Sequence, residues 1–206
     1  MDVLHKIVNA EIYKGKADED LVLETLKRDD VYALLIDRYK QKLARYIKRI
    51  SSLSNEDMEE ILQETFIKAY KNLNDFDTSL KFSSWIYRIA HNETISYLRK
   101  VKTIPFSSFT YQEENEEGTL AEKIAADTDI EKELDKKIIH EHIMEALGAL
   151  DKKYRDVLVL RFLEERDYEE ISDILQKPIG TISVLIKRAK EKFKNIVVEK
   201  SIHTEL

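Results

Sequence analysis

Very few residues in this chain interrupt helices. Only four glycines and two prolines occur among its 206 residues, and Leu, Ile, Glu and Lys dominate, which favours helix throughout. Apolar residues recur near helical spacing over most of the chain. The sequence therefore predicts an all-α protein, long enough for one large or two small domains with their own cores.

The composition excludes several protein classes. The absence of cysteine removes disulfides, thiolate zinc sites and cysteine nucleophiles. Every apolar run is short and broken by charge, so we expect no membrane insertion. The N-terminal stretch MDVLHKIVNAEIYKGK lacks the apolar core of a signal peptide. These features predict a soluble, cytoplasmic protein.

The motifs of common enzyme classes are missing. His140 and His142 are two residues apart, on different helix faces, whereas a metal-binding pair needs a spacing of three or four. The four glycines form no phosphate loop, and no serine lies in a nucleophile elbow. We therefore expect no enzymatic activity, no catalytic residue, no metal site and no cofactor.

The negative charge of the chain is concentrated in one segment. Residues Glu113 to Asp135 contain ten acidic residues and two lysines, whereas the whole chain has a net charge of -6. The rest of the chain is therefore slightly basic, and charge distribution matters more than the sum for nucleic-acid contacts. The polar composition of this segment predicts a linker. It is either a solvated spacer or a segment that lies in a cationic channel.

The clearest helical pattern runs from about Glu56 to Leu73, after serine and asparagine capping residues in SSLSNEDMEE. Ile67 lies opposite its buried stripe, on a face with acidic residues. This isoleucine is either a contact for a basic protein partner or an ordinary exposed side chain. The buried stripe comprises Met58, Ile61, Leu62, Thr65, Phe66 and Ala69.

The segment from Asp75 to Lys100 combines aromatic and basic residues, which proteins use to stack bases and hold phosphates. A turn-rich loop precedes a helix that Ser83 or Ser84 is expected to cap. The chain's only tryptophan, Trp85, lies on the apolar face of this helix. The alternative is therefore a core tryptophan behind a solvated face. Another face of the helix carries no acid and comprises Arg88, Asn92 and Arg99.

The C-terminal part has the pattern of a helix-turn-helix. Asp151 is expected to cap one helix, and a short helix follows at about Tyr168 to Leu175. A turn with Pro178 and Gly180 leads into a longer basic helix. The outward face of that helix suits DNA, although a plain helical hairpin has the same pattern. Its inward face is predicted to contain Ile182, Leu185, Ile186, Ala189 and Phe193.

In this order, the motifs resemble those of a bacterial RNA polymerase sigma factor of the sigma-70 family, extracytoplasmic function (ECF) subfamily. The resemblance runs from about Asp18 to Asn195. NEDMEEILQETFIKAYKNL resembles the core-binding helix, FSSWIYRIAHNETISYLRK the promoter-melting helix, and DYEEISDILQKPIGTISVLIKRAKEKFK the −35 reader. The resemblance implies five segments: an N-terminal extension (1–17), a sigma-2-like domain (18–104), an acidic linker (105–134), a sigma-4-like helix-turn-helix domain (135–200) and a tail (201–206).

The resemblance also implies site residues. The family positions that dock on the clamp coiled coil of the polymerase β′ subunit correspond to Asp57, Gln63, Glu64, Phe66 and Ile67. The positions that open the −10 element correspond to Phe76, Lys81, Phe82, Trp85 and Asn92, and the basic helix face adds Arg88 and Arg99 to them. The positions that read the −35 element correspond to Thr181, Ser183, Val184, Lys187, Arg188 and Lys190.

The chain departs from the family pattern at the second DNA-reading motif. Leu185 stands where arginine is common, and Gln176 with Lys177 replaces a frequent glycine and apolar pair in the turn. The implied partners are core RNA polymerase, promoter DNA and an anti-sigma factor. Two other functions stay open from the residues alone: a stand-alone helix-turn-helix regulator and a helical adaptor that binds no DNA.

Overall fold

The computed structural model describes residue 13, residues 15–101 and residues 142–204, the last six of these by their backbone only. The predicted linker at 105–134 lies outside the described residues, as do most of the N-terminal extension and the first residues of the second predicted domain. Within the described parts every regular element is helical, which confirms the all-α prediction.

Eight α-helices are described. Two short 3₁₀ turns, Asp29–Val31 and Leu73–Asp75, lie between the first four of them. The helices are α1 (Asp18–Thr25), α2 (Tyr32–Ile50), α3 (Asn55–Lys71), α4 (Phe82–Lys100), α5 (142–149), α6 (Lys152–Leu158), α7 (Tyr168–Leu175) and α8 (Ile179–Thr204).

Helices α1 to α4 form the first bundle. The predicted stripe of α3 is buried in full, because its members recur every three or four residues and so face one side of the helix. The hydroxyl of Ser54 accepts a hydrogen bond from the Asp57 amide at 3.1 Å, which confirms the predicted cap of α3. Long apolar and tyrosine side chains of α2 complete this core.

The predicted cap of α4 is wrong. The helix begins at Phe82, before either serine, and the carboxylate of Glu19 in α1 accepts the Phe82 amide at 2.7 Å. Phe82 is fully buried against Phe76 and Trp85. Burial of this ring places the helix start next to α1, which then supplies the capping oxygen from another element.

Helices α5 to α8 form the second bundle and confirm the predicted helix-turn-helix. Asp151 precedes α6 as expected but makes no side-chain capping bond. A π-helical turn, Val159–Leu163, continues α6. Asp167 and Glu170 form a capping box at the start of α7. Gln176 adopts the left-handed conformation (φ 50°) at which a helix often ends with glycine.

The two bundles pack against each other and share one hydrophobic core. Helix α4 lies along α7, and α2 contacts the segment that follows α6. The carboxylate of Glu164 accepts hydrogen bonds from Arg49 at 2.8 Å and from Tyr87 at 2.7 Å. Because these partners are far apart in the chain, periodicity did not predict this packing.

None of the described helices is long and apolar enough to cross a bilayer.

Candidate functional site

The outward face of α3 carries an apolar residue among polar ones. Ile67 is 45% exposed, and Gln63 is exposed beside it. Glu64 is half-buried and pairs with Lys68 at 3.7 Å. We call Asp57, Gln63, Glu64 and Ile67 the α3 face. Such a surface suits a partner that offers both apolar and basic groups.

Two of the residues predicted for polymerase docking also make contacts within the bundle. Phe66 is 7% exposed, and its carbonyl accepts a hydrogen bond from Tyr32 at 2.7 Å. Asp57 accepts a hydrogen bond from Tyr97 of α4. Phe66 therefore supports α3 from beneath, whereas Ile67 and Gln63 remain accessible.

The aromatic residues at the start of α4 form a packed cluster. The ring centroids of Phe76, Phe82 and Trp85 lie 5.1–5.6 Å apart. Phe76 and Phe82 are buried, whereas Trp85 is half-buried. Leu80 in the preceding loop is 52% exposed. Trp85 is thus held in place by the two phenylalanines while part of its surface faces outward.

The basic face of α4 meets acids from the second bundle. Lys81 lies 3.5 Å from Asp167 and 3.3 Å from Glu170, and Arg88 donates to Asp173 at 2.9 Å. We call these three carboxylates the acidic edge of α7. In the sequence this face of α4 contains no acid, so folding supplies its counter-charges. Asn92 and Arg99, further along α4, are exposed.

The outward face of α8 is accessible along its first three turns. Ile182, Ile186 and Ala189 are buried, whereas Val184 is 48% exposed. Leu185 is half-buried, in line with its predicted inward position. The predicted −35 residues of this face are all exposed, namely Thr181, Ser183, Val184, Lys187, Arg188 and Lys190.

The comparisons with known proteins identify the family. The model for "Sigma-70 region 2" matches residues 35–103, and that for "Sigma-70, region 4" matches residues 140–193. The chain is 36% identical over 164 residues to the ECF RNA polymerase sigma factor SigW of Bacillus subtilis, covering 79% of this chain and 86% of SigW.

The chain belongs to the ECF group of the sigma-70 family. It is therefore a sigma factor, and it directs promoter-specific transcription initiation by RNA polymerase.

Solved structures share the fold of this sigma factor. CnrH, in complex with the cytosolic domain of CnrY, matches with a TM-score of 0.64 at 20% identity, covering 89% of this chain and 99% of CnrH. The sigma factor RpoE of Bartonella quintana, in complex with the anti-sigma factor NepR, matches with a TM-score of 0.59 at 20% identity. That match covers 81% of this chain and 96% of RpoE.

Several polar residues are buried between the two bundles of the sigma factor. Motif spacing did not single out these residues. Arg166 lies with its guanidinium 4.4 Å from the ring centroid of Tyr87, and it also contacts Ser83 and Glu170. Glu164 joins Arg49 to Tyr87. Nothing in the sequence pairs these residues, since 77 or more positions separate Glu164 from either partner.

A titratable pair also lies at this contact. His91 Nδ1 is 2.9 Å from the Tyr46 hydroxyl, and His91 Nε2 is 3.9 Å from Asp156. Burial raises the pKa of Asp156 from 3.8 to about 7, against the lowering effect of Lys152 and other nearby cations. Burial also lowers the pKa of His91 from 6.5 to about 3. Both groups are therefore neutral in weakly acidic solution.

Replacing Asp156 with asparagine is expected to stabilise the sigma factor relative to the wild type. This difference in the free energy of unfolding should grow as the pH rises from about 4 to about 7. The folded state keeps the Asp156 proton over this range while the unfolded chain loses it, so the wild type loses stability. The rise in this pKa from 3.8 to about 7 corresponds to a gain in the free energy of unfolding of about 4 kcal/mol near neutral pH.

Urea unfolding of both proteins at several pH values measures this difference. The opposite slope from His91 is common to both proteins and cancels in the comparison. If the difference in unfolding free energy between the two proteins stayed constant with pH, the raised pKa of Asp156 would be contradicted.

Proposed function

We propose that this sigma factor binds core polymerase through the α3 face and contacts promoter DNA with two separate surfaces. Residues 18–104 would bind the polymerase and the −10 element, and residues 135–200 would bind the −35 element, with 105–134 as the linker. The observation that carries the proposal is the exposure of Ile67 among polar groups, on the helix that resembles the family's core-binding helix.

The polymerase partner of the α3 face would be the clamp coiled coil of the β′ subunit. Gln63, Glu64 and Ile67 would make the contact, and Asp57 and Phe66 would hold the helix in its position. Apolar burial at the centre of the contact would supply affinity, and the acids would select a basic partner.

The −10 element would bind along the start of α4. Trp85, held by Phe76 and Phe82, offers a ring face for an unstacked base, which contributes about 1–3 kcal/mol per base. Basic and amide side chains along the same helix would hold the phosphates and the base edges. They are Lys81, Arg88, Asn92 and Arg99.

The −35 element would bind the outward face of α8, with the helix in the major groove. Val184 would contact a thymine methyl, and Lys187 would reach base edges. The side chains of Thr181, Ser183, Arg188 and Lys190 are exposed beside them.

Simultaneous contact with both elements would require the two bundles to separate. The elements lie about 25 base pairs apart, which is roughly 85 Å of duplex at about 3.4 Å per base pair. In the folded chain α4 lies directly against α7, and the acidic edge of α7 occupies Lys81 and Arg88. We propose that this packed form is the resting form, and that polymerase stabilises the separated one.

An anti-sigma factor would be a further partner. RpoE of Bartonella quintana, which shares this fold, was solved with the anti-sigma factor NepR. A protein of that type would act by covering the α3 face or by retaining the packed form. The proposed function places the protein in the cytoplasm, with the polymerase, and assigns it no catalytic activity of its own.

Reconstitution of transcription tests the proposed function. Purified core polymerase and this chain, together but not separately, are expected to produce specific transcripts from a promoter library. A stand-alone regulator would bind duplex DNA unaided and direct no initiation, and an adaptor would do neither.

Lys187→Ala is the variant arm of the same assay. It should change the −35 sequences that are used, because a base-edge contact contributes about 1–3 kcal/mol of discrimination. If the wild-type chain, shown by circular dichroism to be folded, produced no transcripts with core polymerase, the proposed function would be rejected.

A further inference from the structure

We propose that the cleft between α4 and the second bundle binds a small phosphate-bearing anion. The cleft has a volume of about 380 Å³. Its basic residues are Arg99 from α4, Lys152 and Lys153 from α6, and Lys177 from the turn between α7 and α8. We call it the interdomain cleft.

The charges of the interdomain cleft are not balanced. Among the described side chains of residues 15–101 and 142–198, neither Arg99, Lys152 nor Lys177 has an ion-pair partner, unlike Lys81 and Arg88. Asp156 is the one carboxylate among the lining residues. Like charges in a recess repel one another, and an anion would relieve that repulsion.

Lys152 is the most constrained of these cations. It is half-buried, and burial lowers the pKa of its ammonium group. Arg99 adds to this lowering, whereas Asp156 opposes it. A bound anion would stabilise the charged form of Lys152. The anion is therefore expected to bind more tightly to the wild type than to a variant that lacks this lysine.

In weakly acidic solution the floor of the interdomain cleft does not repel an anion, because its one carboxyl group is neutral there. Asp156 is only 5% exposed, its Oδ1 atom has no hydrogen-bond partner, and burial raises its pKa to about 7. In its neutral form this carboxyl group can donate a hydrogen bond. His91 and Asn92 lie beside it and add further polar atoms.

The size and the chemistry of the interdomain cleft favour a compact anion. Ligand pockets range from about 300 to 1,000 Å³, so this cleft is near the lower limit. Lysine binds phosphate as a point charge, without the planar fork with which arginine holds a carboxylate. Several separate lysines therefore suit a di- or triphosphate group, whose charge is spread over several oxygens.

Both bundles contribute to the cleft, so the site exists only while they are packed together. An anion bound there would stabilise the packed form by mass action, by a factor of about 100 when present at 100 times its dissociation constant. The regulatory part of this inference rests on the proposed function, in which Arg99 and Asn92 contact −10 DNA. The anion would then compete with promoter DNA for Arg99 and Asn92.

Titration calorimetry of the full chain with pyrophosphate tests the site. Saturable binding is expected, and Lys152→Gln and Lys177→Gln should each weaken it about tenfold by removing a charge-assisted contact. Lys71→Gln, at an exposed lysine of α3 outside the cleft, is the matched control and should bind like the wild type. No saturable binding, or an equal loss in Lys71→Gln, would overturn the proposal.

Two further arms refine the result. A nucleoside diphosphate that binds as well as pyrophosphate shows recognition of the phosphates alone, whereas tighter binding shows that the nucleoside contributes as well. Lys152→Gln should support transcription like the wild type when pyrophosphate is absent, because Lys152 belongs to none of the three proposed surfaces. If the wild-type chain directed no transcription even without pyrophosphate, that result would count against the proposed function and would leave the binding result intact.

Discussion

Replacing Ile67 with glutamate is expected to weaken binding of core polymerase about 100-fold. Central apolar contacts in interfaces often contribute 2 kcal/mol or more, and each 1.4 kcal/mol corresponds to about a tenfold change. The new carboxylate would also have to be desolvated in the complex. Ile67 is 45% exposed, so its replacement should leave helix content and stability nearly unchanged.

Leu23→Glu is the matched control for this experiment. Leu23 has the same exposed fraction, 45%, but lies on α1 and outside the α3 face. Titration of fluorescently labelled core polymerase with the wild type and both variants measures the three affinities. If Ile67→Glu binds core polymerase like Leu23→Glu, the α3 face is not the docking surface.

Replacing Glu164 with alanine is expected to separate the two bundles. The Glu164 side chain is 8% exposed and bonds both Arg49 and Tyr87 from the first bundle. Its loss would leave a partly buried guanidinium without its counter-charge and a hydroxyl without its acceptor. The cost is about 3 kcal/mol, which shifts the balance between packed and separated forms roughly 100-fold.

Small-angle scattering measures this change as an increase in the radius of gyration. Glu165→Ala changes the neighbouring, exposed carboxylate and should leave the radius unchanged. Far-ultraviolet circular dichroism separates opening of the bundles from unfolding, since both bundles should keep their helices. An unchanged radius with helicity retained would show that Glu164 does not hold the two bundles together.

The helices and the surfaces of single helices could be predicted because they depend on local spacing. The buried stripe of α3 and the outward position of Ile67 follow from 100° per residue, and burial agrees at each position. At Gln176 the residue type does not predict the backbone, because left-handed helix ends favour glycine. The turn keeps an ordinary left-handed helix end although its residue is not glycine.

Contacts between distant residues could not be predicted in the same way. The cap of α4 comes from Glu19, 63 positions before Phe82, where local spacing favoured Ser83 or Ser84. The counter-charges of Lys81 and Arg88 come from α7, 85 or more positions away. Nothing in the local spacing of the chain links such residues.

The helical class, the order of the motifs and the family they resemble could all be predicted from the amino-acid sequence. Each of these depends on residues that are close in the chain, where backbone geometry sets which side chains share a face. The contact between the basic face of α4 and the acidic edge of α7, and the position of four cations around one cleft, became visible only in the folded chain. The reason is that long-range packing brings charges together through space, whatever their separation along the chain.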